Sequence, residues 1–335
     1  MDSLNILLTK PFVQSDIDFL SSSVEGLSFF QPSSFDESTL LNFINSIDDK
    51  IDVIMGPPPP KSILVYLKKS LIYIQIPWTG VDNIQFSDCR DLGIPVANSH
   101  GNSMSVAEMA LALLLSSSKL IPFHDSELRK GYWHRPNSSN GFYPPNKIYG
   151  STIGFFGYGA INKSVSSLIQ GFGVRSITCS NTIIEDERID KSYIVDSEFF
   201  EFLSQSDYVI IGAPLTNKTR LLFDSKAFNA MKNSGYLINV SRGDIICESS
   251  LFNALKEKHI AGAAIDTWKV SPPGKDELKS VSTYNFDELN NLVMSPHRAG
   301  FLRDELPHLD DVVSNFKRLK SSRSINNLID LNKEY

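Results

Sequence analysis

Cysteine is scarce: the three present, Cys89, Cys179 and Cys247, lie far apart and show no Cys-x-x-Cys spacing. An odd, dispersed set of this kind supplies neither a disulfide framework nor a zinc site, and it fits a reducing compartment. Positive charge is not in excess either. The net charge is −6 and the lysines and arginines are scattered, whereas nucleic-acid binders carry a basic face or stripe. Long apolar runs are missing. The richest, Met109 to Leu115, is far below the ~20 residues that span a bilayer. The N-terminal Ile6-Leu7-Leu8 follows no basic segment and is too short for a secretory core. These absences predict a cytoplasmic protein with no nucleic-acid or membrane partner and no bound metal. No repeat of solenoid type occurs.

What the sequence does have is an α/β rhythm. A chain of 335 residues, 41% of them hydrophobic, is long enough and apolar enough for two cores. From Tyr149 to Ser295 short apolar runs alternate with longer amphipathic ones, the pattern of βα units feeding a parallel sheet. The runs Thr152–Phe156, Val174–Cys179, Asp207–Gly212, Tyr236–Val240, Ala263–Asp266 and Leu292–Met294 read as strands, enough for a dinucleotide-binding sheet. The first hundred residues repeat the rhythm on a smaller scale, with strands at Asn5–Thr9, Ile51–Met55, Leu71–Ile76 and Ile94–Ala97. The loop Gly56-Pro57-Pro58-Pro59-Pro60 is extended and rigid, since each proline sets φ and removes a donor; it is a connector or a substrate-facing wall. Between the two regions, Ser105 to Lys119 has helical apolar spacing. It serves as a core helix or as a dimer seam, which residues 125–140 with Trp133 would extend.

The most specific local motif is Gly154-Phe155-Phe156-Gly157-Tyr158-Gly159-Ala160-Ile161-Asn162, which follows a predicted strand and opens a helix running to about Phe172. In such a turn one glycine lets the backbone approach a pyrophosphate, and the helix N-terminus supplies partial positive charge. Gly157, Tyr158, Gly159, Ala160 and Ile161 are therefore the candidate phosphate cradle. Asn162 stands where the fingerprint wants Gly or Ala, which predicts a helix held slightly farther from its strand. The second strand ends in Ser180 and Asn181, with no acid to bond a ribose 2′-hydroxyl or repel a 2′-phosphate. NAD and NADP both remain open as the cofactor, with a lean to NADP.

These residues resemble the D-isomer-specific 2-hydroxyacid dehydrogenase family. The resemblance is carried by Thr79-Gly80-Val81-Asp82-Asn83-Ile84, Val106-Ala107-Glu108, the glycine fingerprint and Pro214-Leu215-Thr216-Asn217-Lys218-Thr219. Further along it includes Asn239-Val240-Ser241-Arg242-Gly243, Gly262-Ala263-Ala264-Ile265-Asp266, Ser295-Pro296-His297 and the tail Asn326-Asn327-Leu328-Ile329-Asp330. It implies a Rossmann doubly wound parallel-sheet cofactor domain, residues 101–299, inserted into a smaller flavodoxin-like α/β substrate domain, residues 1–100 plus 300–335. It also implies an active site in the cleft and a homodimer.

Reduction of a 2-keto acid needs a carboxylate anchor, a donor to the carbonyl oxygen and a reversible proton source. The resemblance implies Arg242 for the first two and His297 for the third, and an arginine fork and an imidazole suit those tasks chemically. It also implies that Asp266, Pro214 and Thr219 meet the cofactor, and that the Thr79 and Gly80 amides hold the substrate carboxylate beside a wall formed by Trp78. Arg298 either adds affinity for a second anionic group or is a solvated arginine. His100, His124, His134, His259 and His308 read as structural or surface residues.

One departure stands out. The family places a glutamate just before the proline after the Gly-Ala-Ala-Ile-Asp block, and this chain has Ser271 there. A hydroxyl cannot raise an imidazole pKa as a carboxylate does. The reading is an NAD(P)-dependent oxidoreductase, a 2-hydroxyacid dehydrogenase or 2-keto acid reductase acting on a small 2-keto or 2-hydroxy acid. The alternatives are a catalytically weak nicotinamide-sensing protein of the same fold and a dehydrogenase of another small anion such as formate.

Overall fold

The structure is a computed structural model, and it describes residues 3–139, 141, 143–270, 279–302 and 306–333. The chain forms two compact units, one of Met1–Asn102 with Leu302–Tyr335, the other of Ser103–Phe301.

The first unit holds strands β1 (Leu4–Leu8), β2 (Leu27–Phe30), β3 (Val53–Met55), β4 (Tyr73–Gln75) and β5 (Val96–Ala97). They alternate with α1 (Gln14–Ser23), α2 (Glu37–Asn45), α3 (Lys61–Leu67) and α4 (Ser87–Leu92). The strands pair in the order β2-β1-β3-β4-β5, all parallel. Parallel sheets are covered on both faces, which is why β3, β4 and β5 are buried throughout. Strand β2 is absent from the sequence reading. It is an edge strand and only partly buried, so its composition carries a weak signal and its pairing with β1 defines it. The glycine-proline loop joins β3 to α3.

The C-terminal tail returns to this unit. Ala97 and Leu328 form an antiparallel bridge, Asn98 N donates to Asn327 O at 3.1 Å, and Ile329 N donates to Val96 O at 2.9 Å. The tail thus covers the backbone edge left open by the short β5.

The second unit begins with α5 (Ser103–Ser118) and α6 (Ile121–Arg129) and continues through β6 (Thr152–Phe156), α7 (Ala160–Ile169), β7 (Arg175–Ser180) and β8 (Lys191–Ile194). It then runs through α8 (Val195–Gln205), β9 (Tyr208–Ile211), α9 (Ser225–Ala230), β10 (Tyr236–Asn239), α10 (Glu248–Lys256), β11 (Gly262–Ile265) and β12 (Leu292–Met294). The last long helix, α11 (Asp310–Lys320), belongs to the first unit. The parallel sheet has the order β12-β11-β10-β9-β6-β7-β8, so the chain winds outward from β6 to β8 and then restarts beside β6 at β9. Ligands in open α/β sheets bind at such a reversal, beyond the carboxyl ends of the strands. The sheet has one strand more than the six read from sequence. The extra strand, β8, is an edge strand whose run Lys-Ser-Tyr-Ile is mostly polar, and its pairing with β7 recruits it.

Side-chain alternation sorts each strand between two cores. Phe155 faces a core with Val106, Ala110, Leu114, Val165 and Ile169, while Phe156 faces one with Phe199, Phe202 and Phe223. Helix α5 therefore packs in the interior, with Val106, Ala107, Ala110, Leu113 and Leu114 buried. Among the described residues no single helix is long and apolar enough to cross a membrane; α5 and α6 pass that test only as a pair bent by 57°. All three cysteines are free, and burial pushes the Cys89 thiol up to about 11 and Cys179 up to about 12, so neither is a nucleophile near neutrality.

Candidate active site

The carboxyl edge of the second unit's sheet is built by tight turns. After β6 the chain turns at Gly157, φ +75°, where a Cβ would sit 2.7 Å from the Ala213 backbone. Gly159 differs, because a Cβ there would meet no protein atom within 4 Å. Packing does not demand that glycine, and the open space beside it leaves room for a ligand at the first turn of α7. The amides of that turn have no intrahelical acceptor, as at any helix start. This cradle fits a dinucleotide pyrophosphate. Tyr158 contributes only backbone to it: its ring is buried against Phe155, and its hydroxyl lies 3.3 Å from Asp186 Oδ2.

Asn162 corrects the expectation of a loosened helix. It is fully buried, and its Nδ2 donates to Gly157 O at 2.6 Å and to Phe156 O and Ile210 O at 3.3 Å each. The amide stitches α7 to the ends of β6 and β9 rather than propping it away. Room comes from Gly212, where a Cβ would lie 2.7 Å from the Asn162 side chain.

Ser180 Oγ donates to Thr182 O at 2.5 Å, which shapes the turn after β7, and Asn181 is exposed beside it. The nearby Asp186 does not present a bare carboxylate. Arg188 pairs with it at 2.5 Å and holds its carboxyl well below the usual range. In the loop after β9, Thr219 Oγ1 donates to Pro214 O at 2.7 Å and accepts from Thr216 N at 2.8 Å, so its hydroxyl closes the loop on itself.

Arg242 follows β10. The buried Asn239 shapes its turn, accepting from Ser241 N at 3.0 Å and donating to Arg242 O at 2.9 Å, while Ser241 Oγ donates to Ala213 O. The guanidinium donates to Ser241 O at 2.9 Å. Behind it, a Cβ on Gly243 would lie 2.2 Å from the Trp268 backbone, so this turn packs directly on the chain after Asp266.

Asp266 is fully buried, and its carboxylate organises the histidine turn. Oδ1 accepts from Ser295 Oγ and from Arg298 N at 2.9 Å, Oδ2 accepts from Ala299 N at 3.1 Å, and Asp266 O accepts from His297 N at 2.8 Å. His297 itself is in the left-handed region, φ +57°, a conformation that a non-glycine residue holds only when its surroundings impose it. Although the residue is exposed, crowding around its ring lowers the imidazole pKa below 6.5 mainly by desolvation. The Asp266 carboxylate opposes that shift, and Arg242 and Arg298 add to it. The structure thus brings Arg242, Asp266, His297 and Arg298 into one electrostatic group. Arg298 is exposed, with its guanidinium 5.4 Å above the Phe301 ring. Ser271 lies outside the described residues, as do Asp276 and Glu277, the acids that follow it in sequence and that could stand in for the missing glutamate.

In the first unit, the carbonyls around Trp78 and Thr79 are taken. Ser99 N donates to Trp78 O at 3.3 Å and Asn98 Nδ2 to Thr79 O at 2.8 Å, while Thr79 Oγ1 donates to Asn102 Oδ1 at 2.9 Å. The Thr79 and Gly80 amides have no acceptor among the described residues. Sequence reasoning named Asn239 only as part of a family block, without a role, and passed over Lys10, which lies just past a predicted strand at the carboxyl edge of the first unit's sheet.

The sequence profile of the NAD binding domain of the D-isomer specific 2-hydroxyacid dehydrogenases matches residues 111–299, more than half of the chain. A glyoxylate reductase of Thermococcus litoralis is 28% identical over 299 residues, covering 87% of this chain and 86% of that one. A D-3-phosphoglycerate dehydrogenase of Archaeoglobus fulgidus is 25% identical over 331 residues, 96% of this chain and 59% of that enzyme. Among solved structures, a D-isomer specific 2-hydroxyacid dehydrogenase from Xanthobacter autotrophicus Py2, crystallised with NADPH and MES, superposes with a TM-score of 0.79 over the full length of both chains at 21% identity.

Proposed function

This chain belongs to the D-isomer specific 2-hydroxyacid dehydrogenase family, NAD(P)-dependent oxidoreductases of the CH–OH group, and we propose that Arg242 and His297 are the residues with which it reduces a small 2-keto acid. The observation that carries this assignment is the turn in which Asp266 fixes a left-handed His297 beside Arg242 and Arg298.

When bound, NAD(P)H supplies the hydride. Its pyrophosphate fits the Gly157–Ile161 turn, and Ser180 and Asn181 sit where a ribose 2′ substituent is read, with no acid at that strand end. NADP is therefore the favoured form. Pro214 and Thr219 complete the cofactor contacts, whereas Asp266, expected to meet the cofactor, is fully buried with both carboxylate oxygens engaged by the 295–299 turn. Arg242 binds the substrate carboxylate and polarises the keto oxygen; its fixed fork suits both tasks. His297 in its protonated form gives a proton to that oxygen, and in the reverse direction its neutral form takes the proton back. In the sequence Ser271 occupies the position of the usual carboxylate, and among the described residues Asp266 is the charge that supports the imidazolium. It acts from behind the turn, as a positioning residue. Trp78, Thr79 and Gly80 are read as substrate-binding residues, and Arg298 as favouring anions.

Glyoxylate, hydroxypyruvate and branched keto acids are the first substrates to assay. The protein is read as cytoplasmic and as a homodimer, the second reading supported by the exposed Ile121, Leu128, Tyr132 and Trp133 on and just beyond α6. The test is consumption of NADPH and NADH with a keto-acid panel. His297→Ala is expected to slow turnover by about 10²–10⁴-fold, the usual contribution of a general acid, with cofactor binding retained. Tight cofactor binding without turnover on any keto acid would instead indicate a sensor.

A further inference from the structure

At the carboxyl edge of the first unit's sheet stands a cation that the reaction described above does not use. Lys10 follows β1 directly after Thr9, whose own position is pinned: its amide donates to Met55 O at 3.1 Å and its hydroxyl to Pro57 O at 2.7 Å. The close pass is possible because residue 56 is glycine at φ +127°, where a Cβ would lie 2.5 Å from Thr9 Oγ1. Strand β3 separates β1 from β4 in the sheet, so the Lys10 side chain spans that strand end to reach the residues after β4. Its Nζ rests 4.0 Å from the centre of the Trp78 ring and 5.2 Å from that of Phe12.

An ordinary surface lysine extends into water. Lys10 is partly buried, and desolvation lowers its pKa against an opposing pull from Asp16. Among the described residues it forms no ion pair with a carboxylate. An ammonium has three donors and an aromatic face occupies one side of it, so the others remain available to an acceptor at this edge. The neighbours of Trp78 in sequence are Thr79 and Gly80, whose amides have no acceptor among the described residues. One edge therefore offers two amides with no acceptor among the described residues and, over the adjoining indole, a separate held cation. A ligand with an anionic group at each end matches both.

We propose that Lys10 recognises a second anionic group, a carboxylate or a phosphate, at the far end of the 2-keto acid from the carboxylate held by Thr79 and Gly80. The proposal rests on the reading of those amides as part of the substrate site. It adds a specificity residue in the first unit, independent of Arg298.

The test compares kcat/KM for 2-oxobutyrate, 2-oxoglutarate and 3-phosphonooxypyruvate in the wild type, Lys10→Met, Lys10→Arg and Arg298→Ala. Methionine keeps an unbranched stem over Trp78 and removes the charge; the thermal midpoint of each variant verifies that it is folded. The wild type is expected to favour at least one of the doubly anionic acids, and which one identifies the distal group. Lys10→Met should cut that preference by about 10- to 100-fold, the loss of one charge-assisted hydrogen bond, through KM, and Lys10→Arg should keep it. A preference unchanged in Lys10→Met, lost only in Arg298→Ala, or absent from the wild type overturns the proposal. A wild type that binds cofactor but turns over no keto acid is a separate failure. It overturns the reading of the site itself, and the role of Lys10 with it.

Discussion

His297 is held in a backbone conformation that costs a non-glycine residue roughly 1 kcal/mol or more, and the Asp266 hydrogen bonds to the 295–299 turn offset that cost. The same neighbours set its titration. With the imidazole pKa below 6.5, the protonated form that the proposed reduction requires is lost as pH rises through that lowered value. The neutral acceptor needed for oxidation is present above it. Reduction should therefore decline from below pH 6.5, by about tenfold per unit once the proton is gone, while hydroxy-acid oxidation holds its rate to lower pH. Reduction kinetics that stay level well above neutrality would contradict this. Asp266→Asn removes the one charge among the described residues that raises the imidazole pKa, so the midpoint should move further down. A purely structural role for Asp266 would lower kcat without moving it.

The β6–α7 turn is where an element's geometry controls binding. Gly157→Ala places a methyl group 2.7 Å from the Ala213 backbone in a conformation that disfavours a Cβ. The turn must open, and cofactor affinity should fall by more than about tenfold, beyond 1.4 kcal/mol, in a fluorescence titration. In the first unit the comparable joint is Asn315 on α11. It is fully buried, donates to Gln75 Oε1 at 2.8 Å and to Asn326 O at 3.2 Å, and accepts from Asn326 N at 2.8 Å. Asn315→Ala leaves buried polar groups unmatched, and the urea midpoint should drop by the equivalent of about 1–3 kcal/mol with the slope unchanged. These elements also mark how much was legible. The central strands of the second unit were read to within about a residue because they are continuous apolar runs, while β3 and β4 of the first unit are shorter than their apolar runs suggest. The edge strands β2 and β8 were not read, because half-covered strands carry mixed residues and exist through their pairing.

For the molecule as a whole, cofactor binding is linked to stability: a ligand at about 100 times its Kd adds about 2.7 kcal/mol. With no acid at the end of β7, NADPH should raise the melting temperature at least as much as NADH at equal concentration. Asn181→Asp, which puts a carboxylate where a 2′-phosphate would sit, should reverse that order. A larger shift with NADH in the unaltered protein would make this an NAD enzyme.

Sequence alone determined the parallel α/β architecture, the glycine turn and the Arg242 and His297 candidates. Each is written in local signals: apolar runs, glycine spacing and short blocks around a strand end. Only the tertiary structure decided what Asn162 and Asp266 do, because both act through hydrogen bonds to partners on other elements. Asn162 reaches Ile210 on β9, and Asp266 reaches the turn at 295–299, about thirty residues away along the chain. The same holds for Lys10. Its sequence neighbours say nothing of Trp78, and only the order of strands in the sheet brings the ammonium over the indole.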